Sequence, residues 1–465
     1  MTRLVRRTVH ALFAAFACLL LVLVGHSLLR ALCRIEAPVV SPARQEPVRA
    51  GPRLRTLGSS FVLERDGLFE AHLIGTPTQI GWAHARLFYP EMVENEGVLL
   101  SNFRKAVPTA PLRALLLDLA QVRYRHVADG MSPERRSEIA AGALGFQPDP
   151  YRDLFPTFQR FSYLNALYDI ALSFEHSPLI GCTTFVFSGA AAGGSGSLLA
   201  RNFDFEVDPI FDRKKAVFFV RETGKIPFAS VAWPGLVGVV SGMNAEGVAL
   251  VVHGGRAGEP RAEGEPVVHA LRAVLSSAKN SEEAISVLSA RPPLVSHIVI
   301  LTDANGRALE VERTPGRADH VVTLADAAAV TNHFSGPAAS DPKNLSVLAH
   351  TSTRARKARA DELVAAVPRP VTAASAVTLL RDRRGFGDRP LALGDRDAID
   401  ALIATHGVVM DTRARRLWVS VAPHLLGPFV AFDLGRMLAD DYRPEPDLTL
   451  ERIPSDTSIN PRSEN

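Results

Sequence analysis

The strongest constraint on how this chain folds lies between residues 179 and 207. The run LIGCTTFVFSG, rich in β-branched and aromatic residues, breaks at the Gly/Ser segment AAAGGSGS and resumes as LLARNFDFEV. Two strand-forming runs around a glycine-rich turn predict an antiparallel hairpin. More such runs follow: KKAVFFVRE, IPFASVAW, GLVGVVSG and GVALVVHGG. After them come LVSHIVILTDANGRALEVERT around an Asp-Ala-Asn-Gly turn, AAAVTNHFS, and GVVMDTRARRLWVSVAP. Helical periodicity occupies 265–289, 341–366 and 372–382 between these groups. Antiparallel strand groups with helices between them argue against a βαβ wind and for an α+β protein, two sheets covered by helices.

The N-terminal part reads differently. Residues 11–29, ALFAAFACLLLVLVGHSLL, form one apolar run behind Arg3, Arg6, Arg7 and His10. At about 1.5 Å per residue it nearly spans a hydrocarbon core of roughly 30 Å. The preceding positive charge predicts a cytoplasmic N-terminus and an exported body, anchored in the membrane or secreted, on the periplasmic or extracellular side. Residues 1–35 are therefore a signal anchor or a signal peptide. The lack of a small-x-small cleavage site favours the anchor. Residues 36–60 are Pro- and Arg-rich and read as a linker. Residues 61–181 are expected to be mostly helical. TPTQIGWAHARLFYPEMVENEGVLLSNF opens on a threonine cap, PLRALLLDLAQVRYRHV has apolar residues at three- and four-residue spacing, and a further helix runs through FQRFSYLNALYDIALSF. Residues 182–445 hold the β-rich part, and 446–465 read as a polar, disordered tail.

Charge and cysteine usage narrow the class. Lys plus Arg is 52 and Asp plus Glu is 49, a net of +3. Five Arg and one Glu of these fall in the first 40 residues, so the rest stands at 47 minus 48, or −1. A body without a basic excess argues against nucleic acid as a partner. Cys18 and Cys33 lie in or just after the apolar run, which leaves Cys182 as the single cysteine of the exported body, with no intramolecular disulfide partner there. No HExxH, CxxC or carboxylate cluster suggests a metal, and no cofactor is expected.

Cys182 opens a strand directly after Gly181, and Arg201 and Asp204 follow on the next strand. A thiol there is placed to attack the preceding carbonyl in an N-to-S shift, with no side chain on Gly181 to obstruct it. Scission would free an α-amino group of pKa near 8 beside a thiol of pKa near 8.5, so one residue would supply nucleophile and proton acceptor. A guanidinium from Arg201 would favour the thiolate, and Asp204 could orient the ammonium.

The pieces GCTTF, ARNFDF, SGMNAEGVALVVHGG, VTNHF and HTSTRARKAR stand in the order and rough spacing of N-terminal-nucleophile (Ntn) hydrolases. The sequence resembles the acyl-CoA:6-aminopenicillanic acid acyltransferase family (peptidase family C45) and, more distantly, choloylglycine hydrolases and acid ceramidase-like amidases. GTPTQIGWAHA resembles the opening of that family's prosegment, and the resemblance spans about residues 60 to 435. It implies a four-layer αββα sandwich, a helical prosegment over 61–181 that becomes a small subunit, and a cleavage between Gly181 and Cys182 whose two fragments stay associated. Cys182 would be the nucleophile, Arg201 and Asp204 its flanking pair, and Asn332 an oxyanion donor. His253, where relatives often place an Asn, and Arg354 would contact substrate. The implied activity is hydrolysis or acyl transfer at the carbonyl of a small-molecule acyl amide or thioester, through an acyl-enzyme. Two other readings stand beside it: an unprocessed Cys–His thiol hydrolase using His176, His253 or His333, and a catalytically inactive anchored envelope protein.

Overall fold

The computed structural model describes residues 3–173, 180–194 and 196–459; His176 of the Cys–His reading lies outside them. The chain opens with α1 (Arg3–Leu32), which by length and composition could cross a membrane and has none of its apolar window buried. Its last turns are tied to the body: His26 Nδ1 lies 2.7 Å from Asp118 Oδ2, and Arg30 donates to the Leu154 carbonyl. Four strands follow, β1 (Val48–Arg49), β2 (Leu54–Leu57), β3 (Ser60–Arg65) and β4 (Leu68–Gly75). Then come α2 (Pro77–Leu87), α3 (Tyr89–Ala106), α4 (Ala110–Tyr124), α5 (Pro133–Gly145), α6 (Thr157–Leu164) and α7 (Leu167–Leu172).

Strands β1–β4 correct the reading of 36–60 as a linker and of the stretch after 61 as helix from its start. Phe61-Val62-Leu63 alternates between two apolar clusters, and the Asp66-Gly67 pair, both at positive φ, turns β3 into β4. The expected cap is present: Thr76 accepts from the Gln79 N–H, and the Gln79 side chain answers on the Thr76 N–H.

The hairpin that constrains the sequence most is β5 (Ile180–Ser188) and β6 (Ser197–Phe205), antiparallel with Cys182 opposite Phe203 and Gly181 opposite Asp204. Next are β7 (Ala216–Glu222), β8 (Phe228–Ala232), β9 (Ser241–Asn244) and β10 (Ala249–Gly254), then α8 (Val267–Leu275) and α9 (Ser281–Ser289). β11 (His297–Thr302), β12 (Ala308–Arg313), β13 (His320–Thr323) and β14 (Ala327–Val330) precede α10 (Pro342–His350), α11 (Thr353–Ala366) and α12 (Ala373–Leu380). β15 (Ala404–Asp411), β16 (Arg416–Ser420), β17 (Phe429–Asp433) and β18 (Arg452–Ile453) close the chain. The last of these corrects the expected disorder after 446. β18 pairs with β17, and Leu450 is buried.

These elements make a mixed α/β protein with two large sheets. One has eleven strands in the order β1-β2-β3-β4-β7-β8-β9-β10-β11-β12-β13, and the other seven, β14-β5-β6-β15-β16-β17-β18. Period-two alternation sends neighbouring residues to opposite faces. Val252, Val299 and Leu301 join α2, α5 and α8 in one cluster. Val251, Ile298 and Ile300 meet Val186, Leu199 and Met410 of the other sheet in a second. Phe185, Leu198 and Val409 pack with α11 and α12 in a third. The packing order is thus helices, sheet, sheet, helices. β4 joins the larger sheet through its parallel pairing with β7, Phe69 opposite Ala216 through Gly75 opposite Glu222.

Candidate active site

Four elements converge on the start of β5: β6 beside it, the end of β10 in the other sheet, the segment after β14, and the first turn of α11. Cys182 is fully buried. Its thiol accepts from Arg201 Nη2 at 3.3 Å and lies 3.9 Å from the Val252 carbonyl. Burial pushes the thiol above its ordinary range, and the Arg201 guanidinium pulls it back. Arg201 is itself wholly buried, and its contacts hold it rigidly. Nη2 also donates to the Val252 carbonyl at 2.8 Å, and Nη1 reaches Ser241 Oγ and, at 3.2 Å, His406 Nε2. The guanidinium carbon lies 4.1 Å from the Phe203 ring centroid, a buried cation–π contact.

Asp204 faces Gly181 across the ladder and is buried. Burial drives its pKa up to about 7 against the pull of Arg356, and Oδ1 has no hydrogen-bond partner among the described residues. A methyl on residue 181 would stand 3.4 Å from the Asp204 Cβ, an ordinary contact, so lack of space alone does not demand glycine there.

Asn332 is brought to Cys182. Its Oδ1 accepts from the Cys182 N–H at 2.8 Å, while its Nδ2 donates to the Gly254 carbonyl at 3.0 Å. It grips the Cys182 backbone, and one N–H of its amide is engaged at Gly254. His253 is a correction. It is buried, with Nδ1 donating to the Thr331 carbonyl at 3.0 Å and Nε2 accepting from the Thr184 hydroxyl at 2.7 Å. Burial and the nearby Arg201 hold its pKa well below the ordinary value, so it is a neutral clasp between sheets rather than a substrate contact. Arg354 stands exposed on α11. Two residues on, Arg356 reaches the cluster, donating to the Cys182 carbonyl, to Thr183 Oγ1 at 2.9 Å and to Asn332 Oδ1 at 2.9 Å. No histidine among the described residues lies within hydrogen-bonding distance of the Cys182 thiol. His333 turns to Thr331 and Thr353 instead.

Two cavities flank the cluster. One, of about 210 Å³, is lined by Gly181, Gly254, Asn332, Ser352, Arg356 and Arg396. The other is apolar and walled by Leu164, Tyr168, Phe203, Trp233, Leu236 and Val268. Phe203 joins this cavity to the thiol, since it stands opposite Cys182 in the ladder.

Residues 191–421 match the family model described as acyl-coenzyme A:6-aminopenicillanic acid acyl-transferase. Over that span the chain is similar to that family. The matched span takes in Arg201, Asp204, Asn332 and Arg356 and begins beyond Cys182. Among solved structures, the chain is similar to the Caenorhabditis elegans orthologue of N-acylethanolamine-hydrolyzing acid amidase, at 15% identity, covering 50% of this chain and 93% of that one with a TM-score of 0.37. It is similar to penicillin V acylase from Agrobacterium tumefaciens, at 19% identity, over 56% and 94%, with a TM-score of 0.35. A variant of the conjugated bile acid hydrolase from Clostridium perfringens is 10% identical over 58% and 99%, with a TM-score of 0.38. No curated protein matches the chain.

The buried Asp204 has a consequence for stability. Its folded pKa of about 7 lies above the unfolded value of about 3.9, so the folded state holds the proton more tightly. Stability is lost as pH rises through that window. In a Cys182→Ala background, Asp204→Asn is expected to flatten the fall in Tm between pH 4 and 7. Parallel Tm curves for the two proteins would contradict the assignment.

Proposed function

We propose that this protein is an autoproteolytically activated N-terminal-cysteine amidohydrolase or acyltransferase on an Ntn-hydrolase αββα sandwich. The observation that carries the reading is the buried Cys182 thiol, immediately after Gly181, held by Arg201, with Asp204, whose Oδ1 has no hydrogen-bond partner among the described residues, beside the same peptide. In processing, the thiol passes its proton to Asp204, the group of the cluster that titrates near neutrality. The sulfur attacks the Gly181 carbonyl, the proton passes from Asp204 to the Cys182 nitrogen, and the C–N bond breaks to leave a thioester and a free α-amine. Water then hydrolyses the thioester, freeing the Cys182 thiol and the Gly181 carboxylate. In turnover, that amine takes the thiol proton, the sulfur attacks the acyl carbonyl, and the proton passes to the departing amine. Water or a second amine resolves the acyl-enzyme.

The acyl group of an amide would lie in the apolar cavity behind Phe203, and the departing half in the cavity beside Gly181. Residues before 181 supply β1–β4 and a wall of the apolar cavity, which supports a cut form whose two fragments stay together. The helix α1 would anchor the body to a membrane, on its exported side.

Mass spectrometry of the purified protein, paired with N-acyl amides of graded chain length, tests this. A fragment beginning at Cys182 and faster turnover of long-chain than of acetyl amides are expected. A chain that stays whole yet turns over amides would overturn the processing step, and a preference for acetyl would overturn the use of the apolar cavity.

A further inference from the structure

Several donors around Cys182 already hold other partners. Asn332 Nδ2 binds the Gly254 carbonyl, and both ring nitrogens of His253 are held. Both terminal nitrogens of Arg201 are engaged with the thiol, Val252, Ser241 and His406. A further buried donor stands beside the cluster. Tyr168, on α7 and so from the segment before the Gly181–Cys182 bond, is 8% exposed. Its hydroxyl is buried with no hydrogen-bond partner among the described residues. Its ring lies at 22° to that of Phe203, centroids 6.3 Å apart, and Phe203 faces Cys182 in the ladder. Both rings line the apolar cavity. Burying a hydroxyl without a partner costs free energy, and such a group asks what bonds it in another state of the molecule.

We propose that the Tyr168 hydroxyl is a catalytic donor to the oxyanion formed at Cys182, so that the segment before the cut supplies part of the catalytic apparatus. This rests on the reading of Cys182 as an acyl-transfer nucleophile. As the sulfur adds to the acyl carbon, the carbonyl π electrons move to oxygen, and the tyrosine O–H donates a hydrogen bond to that oxygen without giving up its proton. When the electrons return, the C–N bond breaks and the amine leaves with the proton carried by the Cys182 ammonium. Burial, and after it the neighbouring thiol, raise the phenol pKa well above its ordinary value, which keeps the group a neutral donor.

The experiment compares wild type, Tyr168→Phe and Cys182→Ala on a long-chain N-acyl amide. It adds inhibition by the matching fatty aldehyde, which forms a thiohemiacetal bearing the same oxygen. Phenylalanine keeps the ring and its packing. Tyr168→Phe is expected to be cut normally, to label with iodoacetamide at the wild-type rate, to lose roughly 10²–10³-fold in kcat with little change in KM, and to weaken the aldehyde by a similar factor while leaving fatty-acid product inhibition unchanged. If Tyr168→Phe matches wild type in kcat and aldehyde affinity while Cys182→Ala is inactive, the donor assignment is overturned and the nucleophile stands. If wild type shows no Cys182-dependent turnover, both fall.

Discussion

Cys182→Ala is expected to accumulate as one uncut chain and to lose acyl-amide turnover by about 10⁶-fold, the scale on which covalent acyl transfer suffers when its nucleophile is removed. The substitution deletes one buried sulfur and leaves Arg201 with its bonds to Val252, Ser241 and His406. The fold should therefore survive, with a circular dichroism spectrum like that of the parent. The readouts are intact mass and initial rate at matched protein concentration. Wild-type turnover in this variant would refute the nucleophile, and a normally cut chain would refute the self-processing step, each independently of the other.

The second large effect is expected at Arg356. Its guanidinium ties the Cys182 carbonyl, Thr183 Oγ1 and Asn332 Oδ1 into one unit. Arg356→Gln would leave buried acceptors unpaired, at about 1–3 kcal/mol of stability. It would also loosen the strand that carries Cys182, and displacement of about 1 Å near reacting atoms costs roughly 10²-fold in rate. The pH profile supplies a signature beyond lost packing. Arg356 is the largest charge holding the Asp204 pKa down to about 7. Without it that pKa moves higher, so the acid limb of the processing-rate profile should shift to higher pH. Arg354→Gln, two residues away and exposed, should stay within about a factor of two of wild type, the usual range for a surface substitution. Equal losses for the two variants would overturn the assignment of Arg356.

Much of the β-rich part was legible in the sequence because its strands announce themselves twice, by side-chain type and by turns that admit one geometry. LIGCTTFVFSG and LLARNFDFEV pair as expected, with Cys182 facing Phe203. Strands β1–β4 were missed for the opposite reason. Prolines and arginines before residue 60 mask the short strands, and the Asp66-Gly67 turn between two alternating runs was the signal that could have found them. At the site, Cys182, Arg201, Asp204 and Asn332 could be named because each sits within a few residues of a recognisable motif. The choice of Arg354 over Arg356 turns on helix phase. Within RARKAR one arginine faces outward and the next but one faces the sheet, and only packing decides which. Tyr168 carries no local signal. An aromatic residue in FSYLNALYDIALSF reads as core until its hydroxyl is found without a partner.

The parallel ladder between β4 and β7 reaches across the bond that would be cut. While that bond is whole, the two halves find each other within one molecule, and loop closure costs little. Once it is gone they are held only by the ladder and shared packing, and if they come apart, their reunion becomes a meeting of two bodies that depends on dilution. The precursor could then anneal many times, whereas the mature form would assemble once, making maturation a commitment that heat or denaturant cannot simply reverse.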